Sequence, residues 1–262
     1  MLSRGWGSGG VRVAPAIRAV PARLLVEARA RSLGSHERAL PRGRALTSNR
    51  TTVNPRSPKI FGIGLNKTGT TTLGQCGRIL GLRCTSFDRD LLDDWIERRD
   101  LERIVARVEQ YDLFEDWPWP LVYPQLDALF PGSKFVLTLR RSPEAWLDSL
   151  KRHSLRTHPS KHCRKLAYGY DYPHGREQEH LDFYAAHNGA AREYFADRPG
   201  DFAELCWEQG DGFRELCALL NVPVPSQPFP HANKGTEAKV NEEWVALNRA
   251  QSERQAAEAR GE

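Results

Sequence analysis

No run of the roughly 18–20 apolar residues needed to cross a bilayer occurs in this 262-residue chain, so a membrane-anchored protein is not expected. Cysteine is sparse. The five present, Cys76, Cys84, Cys163, Cys206 and Cys217, are odd in number and form no CxxC pair. A disulfide framework or zinc site is therefore not expected, and free thiols in a reducing compartment are. Lysine is absent from residues 1–50, which hold ten Arg against two Glu, a net +8. The other 28 basic and 31 acidic residues leave the remainder at −3, so the overall +5 belongs to the N-terminal segment. No basic helix with interleaved aromatics is present either, and nucleic acid is not an expected partner.

Arg- and Ala-rich, acid-poor composition, with a basic amphipathic pattern from about Ala16, fits either a transit peptide or a disordered extension. Residues 1–57 are accordingly set apart from the fold. The expected location is the cytoplasm, or the mitochondrion or plastid if this segment is a targeting sequence.

From Lys59 the chain alternates strand and helix signals. "KIFGIGL" (Lys59–Leu65) is an apolar run between Pro58 and a polar Gly-containing turn, as in a parallel strand buried on both faces. A helix is expected from Thr70 to a stop at Gly81. "LRCTSF", "YDLFEDW", "KFVLTLR" and "DFAELCW" read as further strands. "LLDDWIERRDLERIVARVEQ" reads as one amphipathic helix, Pro143 starts another, and "EQEHLDFYAAHNGAAREYF" and "FRELCALLN" follow. The tail "EEWVALNRAQSERQAAEAR" reads as a solvent-facing helix. The expected fold is α/β: three layers of the P-loop type, with a central parallel sheet of about five strands flanked by helices. Residues 58–235 form the expected domain and 236–262 a helical tail.

Between the first strand and its helix lies "GIGLNKTGTTTL", where backbone N–H groups and a helix N-terminus converge on an anion. Gly64 and Gly69 have the GxxxxG spacing of an ATP-binding loop, but Thr70 stands where that loop needs lysine. The cation has moved to Lys67, inside the loop. Thr70, Thr71 and Thr72 add hydroxyls, and no carboxylate is tied to the loop to hold Mg²⁺. No metal is expected.

"GLNKTGTTTL" resembles the 5′-phosphosulfate loop of the sulfotransferase superfamily, whose donor is 3′-phosphoadenosine 5′-phosphosulfate (PAPS). The resemblance implies donor contacts from Lys67, Thr68, Gly69, Thr70, Thr71 and Thr72. "FVLTLRRSPEAWLDS" is similar to the family's 3′-phosphate site, with Arg at a strand end, Pro two residues on and Ser eight residues after the Arg. Those are Arg141, Pro143 and Ser149; taking Arg140 instead would set Asp148 in the place of the serine. "FPHANKG" resembles the late loop that closes over the 3′-phosphate, which makes Lys234 a further candidate. Much of residues 58–235 follows the layout of a soluble subgroup of the family.

The resemblance departs at one place. Relatives carry a catalytic His just after the third strand, whereas this chain has "FEDWPWP". Glu115 and Asp116 are the ionisable groups there, on opposite faces of a strand. Asp116, beside Trp117, is the candidate general base, because a desolvated carboxylate has the raised pKa that role needs. His153, His158 and His162 are alternatives that read as surface residues. The resemblance implies sulfuryl transfer from PAPS to a hydroxyl or amine of a small-molecule or glycan acceptor. "HSLRTHPSKHCRKLAYGYDYPHG" would line the acceptor side, and a homodimer is left open. Two other readings stand beside this one: a P-loop nucleotide kinase or NTPase, and a catalytically inactive nucleotide-binding relative.

Overall fold

The computed structural model describes residues 58–230 and 240–262. Five short strands, β1 (Ile60–Gly62), β2 (Cys84–Thr85), β3 (Leu113–Phe114), β4 (Lys134–Thr138) and β5 (Phe202–Leu205), form one sheet. Their order is β2-β3-β1-β4-β5 and every pairing is parallel. Each crossover is made by helix: α1 (Thr70–Ile79), α2 (Arg89–Arg98), α3 (Leu101–Val108), α4 (Trp119–Leu129), α5 (Pro143–Arg156), α6 (Arg164–Tyr168) and α7 (Glu177–Tyr194). After β5 come a 3₁₀ turn at Trp207–Gln209, α8 (Phe213–Leu220) and α9 (Glu242–Arg260).

Register decides which side chains share a face. Phe61 stands opposite Phe114 on β3 and Phe135 on β4, and Phe135 stands opposite Phe202 on β5. These four rings make one aromatic row across four strands. Phe61 stacks on Phe114 at 5.1 Å and on Phe135 at 5.4 Å, and Phe195 at the end of α7 closes on Phe135 at 4.7 Å. Trp119 and Val122 of α4 and Ile104 and Val108 of α3 complete that layer. The other face packs Leu113, Val136 and Leu205 against Leu73 and Cys76 of α1 and Leu216 and Cys217 of α8. Apolar runs on strands covered on both sides are the pattern of a buried parallel sheet.

Two sequence expectations are corrected. The charged stretch 91–110 is two helices, because Arg99 takes a left-handed φ of 56° and Asp100 caps a new start by accepting from Arg103 N at 3.2 Å. The tail is not simply solvent-facing. In α9, Asn248 is fully buried and donates to Leu155 O (3.0 Å) and Thr157 O (2.8 Å) at the end of α5. Tyr172 donates to Asn248 Oδ1 at 2.7 Å. A helix with few apolar residues is held here by side-chain amides. No helix among the described residues is long and apolar enough to cross a membrane.

Candidate active site: an amide-lined loop at the carboxyl edge of the sheet

The loop between β1 and α1 emerges at the carboxyl edge of the sheet, where parallel α/β folds bind ligands. Gly64 fits there only because it has no side chain: a Cβ would lie 2.1 Å from Thr138 Oγ1 and 2.5 Å from Thr138 O. Gly69 has φ +95°, and a Cβ on it would meet the Trp207 ring at 2.4 Å. Lys67 is also left-handed, at φ 69°.

Carbonyl groups in the loop are tied down from outside. Leu65 O accepts the Thr68 N–H (3.3 Å) and hydroxyl (2.6 Å). Asn66 O accepts Trp146 Nε1 at 2.9 Å, Lys67 O accepts Arg140 Nη1 at 3.3 Å, and Gly69 O accepts Trp207 Nε1 at 3.1 Å. Tyr168 donates to the Asn66 side chain, and one residue before Gly64, Ile63 O accepts the Nε2–H of buried His187 at 2.7 Å. By contrast, the N–H groups of Asn66, Lys67, Gly69, Thr70 and Thr71 have no partner among the described residues. Buried backbone donors are rarely left unpaired. A loop with its carbonyls engaged and five donors free, at a helix start without a side-chain cap, has the geometry that can receive an anion.

The candidate loop residues divide into several roles. Lys67 is half-buried, and no ion pair fixes its ammonium among the described residues. Burial lowers its pKa; Asp116 opposes that shift, and Arg140 and Arg152 add to it. Thr68 faces away: its N–H and hydroxyl go to Leu65 O, and the hydroxyl also pairs with Thr138 Oγ1 at 2.6 Å. It shapes the loop and has no hydrogen left for a ligand. Thr70 is buried beside the Glu115 carboxyl, Thr71 is exposed, and Thr72 is buried on the first turn of α1.

Adjacent arginines after β4 have separate tasks. Arg140 is bonded in full to Glu208, through Nε at 2.9 Å and Nη2 at 2.5 Å, besides holding Lys67 O. The Arg141 backbone N–H meets Glu208 at 3.0 Å, but its side chain is exposed and takes part in no ion pair among the described residues. Arg141 is thus the free fork at this corner. Ser149 lies half-buried on α5, the helix that Ser142 caps by accepting from Ala145 N at 3.1 Å. Lys234 lies outside the described residues.

Asp116, at φ 69°, keeps some exposure although protein surrounds it. Burial and the neighbouring Glu115 charge push its pKa up to about 7, against the pull of the Trp117 N–H (2.8 Å) and Lys67. Cys163 and Tyr168 lie close enough to feel its charge, and both are pushed up chiefly by burial. Glu115 points elsewhere, beneath α1: a Cβ on Gly74 would stand 3.0 Å from its Oε1. His153 is half-buried one turn beyond Ser149, not a surface residue. Burial, Lys67 and Arg164 hold it neutral, with a pKa down to about 4.

The family profile described as "Sulfotransferase domain" matches residues 59–238, more than half of the chain. The chain belongs to the sulfotransferase family. It is also 24% identical over 215 residues to Ava biosynthesis cluster protein M of Aspergillus versicolor, covering 66% of this chain and 80% of that protein. The matched span of this sulfotransferase begins just before β1 and takes in the loop, Asp116, Arg141 and Ser149.

Trp207, Glu208 and His187, which frame the loop, were not legible as site residues, and Tyr168 was legible only as part of the acceptor-side stretch. Each acts through a contact of 68 or more residues in sequence separation. Only the tryptophan just after the fifth strand, at the edge where ligands bind, carried a signal.

Proposed function

We propose that this sulfotransferase takes PAPS as donor, without a metal, and transfers its sulfuryl group to a hydroxyl or amine of a small-molecule or glycan acceptor. One observation carries the reading: five free loop amides surround a lysine that no carboxylate neutralises by direct contact. The donor supplies an activated sulfuryl group on a phosphate leaving group. Lys67 sits inside the loop to meet negative charge that grows on the bridging oxygen. A cation aimed there favours the transition state over the bound ground state. The amides of Gly69, Thr70 and Thr71 and the Thr70–Thr72 hydroxyls hold the non-bridging oxygens. Arg141 and Ser149 hold the 3′-phosphate, Arg141 as a free guanidinium fork.

Asp116 is the general base. With a pKa near 7 it is both substantially ionised at neutral pH and basic enough to take the acceptor proton. Its charge and that of Lys67 act on each other. A nucleotide kinase is disfavoured by Thr70, which stands in place of the phosphate-bridging lysine. Incubation with sulfur-35-labelled PAPS and a panel of phenols, amines and glycans tests the reading. Label should appear on at least one acceptor, and transfer should be lost in Asp116→Asn. Label that moves only to a nucleoside phosphate, or activity that needs ATP and Mg²⁺, would overturn it.

A further inference from the structure

Residues 157–175 leave the end of α5, form α6 and return to the start of α7. Their inner side is tied to the candidate site. Tyr168 donates to the Asn66 side chain, and its ring meets that of Trp117, the neighbour of Asp116, at 5.6 Å. Cys163 packs against the same cluster, and Arg89 Nη1 donates to the adjoining His162 O at 2.9 Å. The ends of the segment are held from the other side, by α9. Positions 244, 248, 255 and 256 of that helix fall on one stripe.

Asn248 is fully committed: its two amide hydrogens go to Leu155 O (3.0 Å) and Thr157 O (2.8 Å), and its oxygen accepts from the Tyr172 hydroxyl at 2.7 Å. Two turns on, Gln255 Nε2 donates to Tyr172 O (2.7 Å) and His174 O (2.8 Å), and its Oε1 accepts the Tyr172 N–H at 3.1 Å. The Trp244 ring meets His158 at 5.0 Å. Gly175, at φ +73°, lets the helix come this close, since a Cβ there would lie 2.6 Å from Ala256 Cα. Both ends of the segment are therefore fixed by directional bonds to one helix, and that helix lies beyond the matched span 59–238. We propose that Asn248 and Gln255 are positioning residues for the acceptor. They hold the ends of 157–175 so that the stretch between them keeps one place beside Asp116. Donor binding does not share this dependence: the bonds that tie down the loop carbonyls come from Thr68, Arg140, Trp146 and Trp207, none of them on α9.

This rests on the reading that 157–175 lines the acceptor side. Asn248→Ala, Gln255→Leu and Gly175→Ala, made in the full chain, are compared with wild type; the half-buried Gln255 covers failure of the Asn248 variant to fold. Amide hydrogen exchange should speed by about tenfold or more in 157–163 and 169–175, while 60–79 and 134–138 keep their protection. With 2-naphthol as probe acceptor and labelled PAPS as donor, acceptor kcat/KM should fall about 10- to 100-fold. Affinity for adenosine 3′,5′-bisphosphate should stay within about twofold. Unchanged exchange in the segment would overturn the proposal, and so would faster exchange with an unchanged acceptor kcat/KM. Equal losses of donor affinity and acceptor kcat/KM would make α9 a general support and overturn it too. If wild type sulfates neither 2-naphthol nor any other member of the panel, the transferase reading itself fails.

Discussion

Replacing Arg140 and Arg141 one at a time separates frame from ligand contact at the strand-helix corner. Arg140 is 20% exposed and Glu208 33% exposed, joined by bonds of 2.9 and 2.5 Å, with a third bond to Lys67 O at 3.3 Å. A bidentate but partly exposed pair is screened, so Arg140→Ala should cost about 1–2 kcal/mol. For a domain of this size that lowers Tm by about 3–7 °C. Loosening the Lys67 carbonyl should weaken 5′-AMP and adenosine 3′,5′-bisphosphate to similar extents, since both place a phosphate in the loop. Arg141→Ala removes an exposed side chain with no protein partner to lose, and Tm should hold within about 1 °C. A charge-assisted phosphate contact is worth about 1.5–3 kcal/mol, so affinity for the bisphosphate should fall about 10- to 150-fold. That for 5′-AMP should stay within about twofold. Thermal melts and titration of both nucleotides on both variants decide the matter. Equal losses for the two nucleotides in Arg141→Ala, or the selective loss in Arg140→Ala, would refute the assignment.

Lys67→Ala should cut turnover with a generic phenol or amine acceptor by about 10²–10³, with a far smaller loss in bisphosphate affinity. Large loss of binding with normal turnover at saturation would make Lys67 a ground-state anchor. Gly69→Ala must accommodate a Cβ 2.4 Å from Trp207 at φ +95°, and should destabilise by about 1–3 kcal/mol while weakening the bisphosphate. Unchanged melting and binding would mean that the loop is laxer than its contacts indicate. The rate should fall as pH drops through about 7, as Asp116 is protonated, and Asp116→Asn should lose nearly all turnover. Because folding raises this acid from 3.8 to about 7, the folded state holds the proton more tightly, and stability is lost as pH rises across that window. Asp116→Asn should therefore gain more Tm relative to wild type at about pH 8 than at about pH 5. A pH-independent difference would show that Asp116 is not the perturbed group.

Order along the chain was legible because each strand is a short apolar run with a turn signal behind it. Lys59–Leu65, for example, contains β1 and the start of the loop. Strand ends were less so: β1 covers only Ile60–Gly62, although the Ile63 N–H still bonds Val136 O of β4 at 2.8 Å. The break at Arg99 was missed because a left-handed arginine carries no glycine signal, although Asp100 was a readable cap. The loop's place between β1 and α1 was legible, but not the commitment of Thr68, whose hydroxyl answers to Leu65 and to Thr138 seventy residues away. Spacing to Ser149 points to Arg141 over Arg140; that Glu208 occupies the Arg140 side chain lies in a contact 68 residues distant. His153 read as a surface residue because half-burial against Lys67 and Arg164 depends on how α5 and α6 meet.

On the proposed reading, the loop binds a phosphosulfate-type nucleotide through free amides and Lys67, not a metal-bound triphosphate. Calorimetry of the purified protein in excess chelator, with adenosine 3′,5′-bisphosphate and then with ATP and Mg²⁺ after removal of chelator, tests it directly. Tight binding of the bisphosphate in chelator, with ATP·Mg²⁺ much weaker, is the expected result. Loss of bisphosphate binding in chelator, or tighter binding of ATP·Mg²⁺, would contradict it.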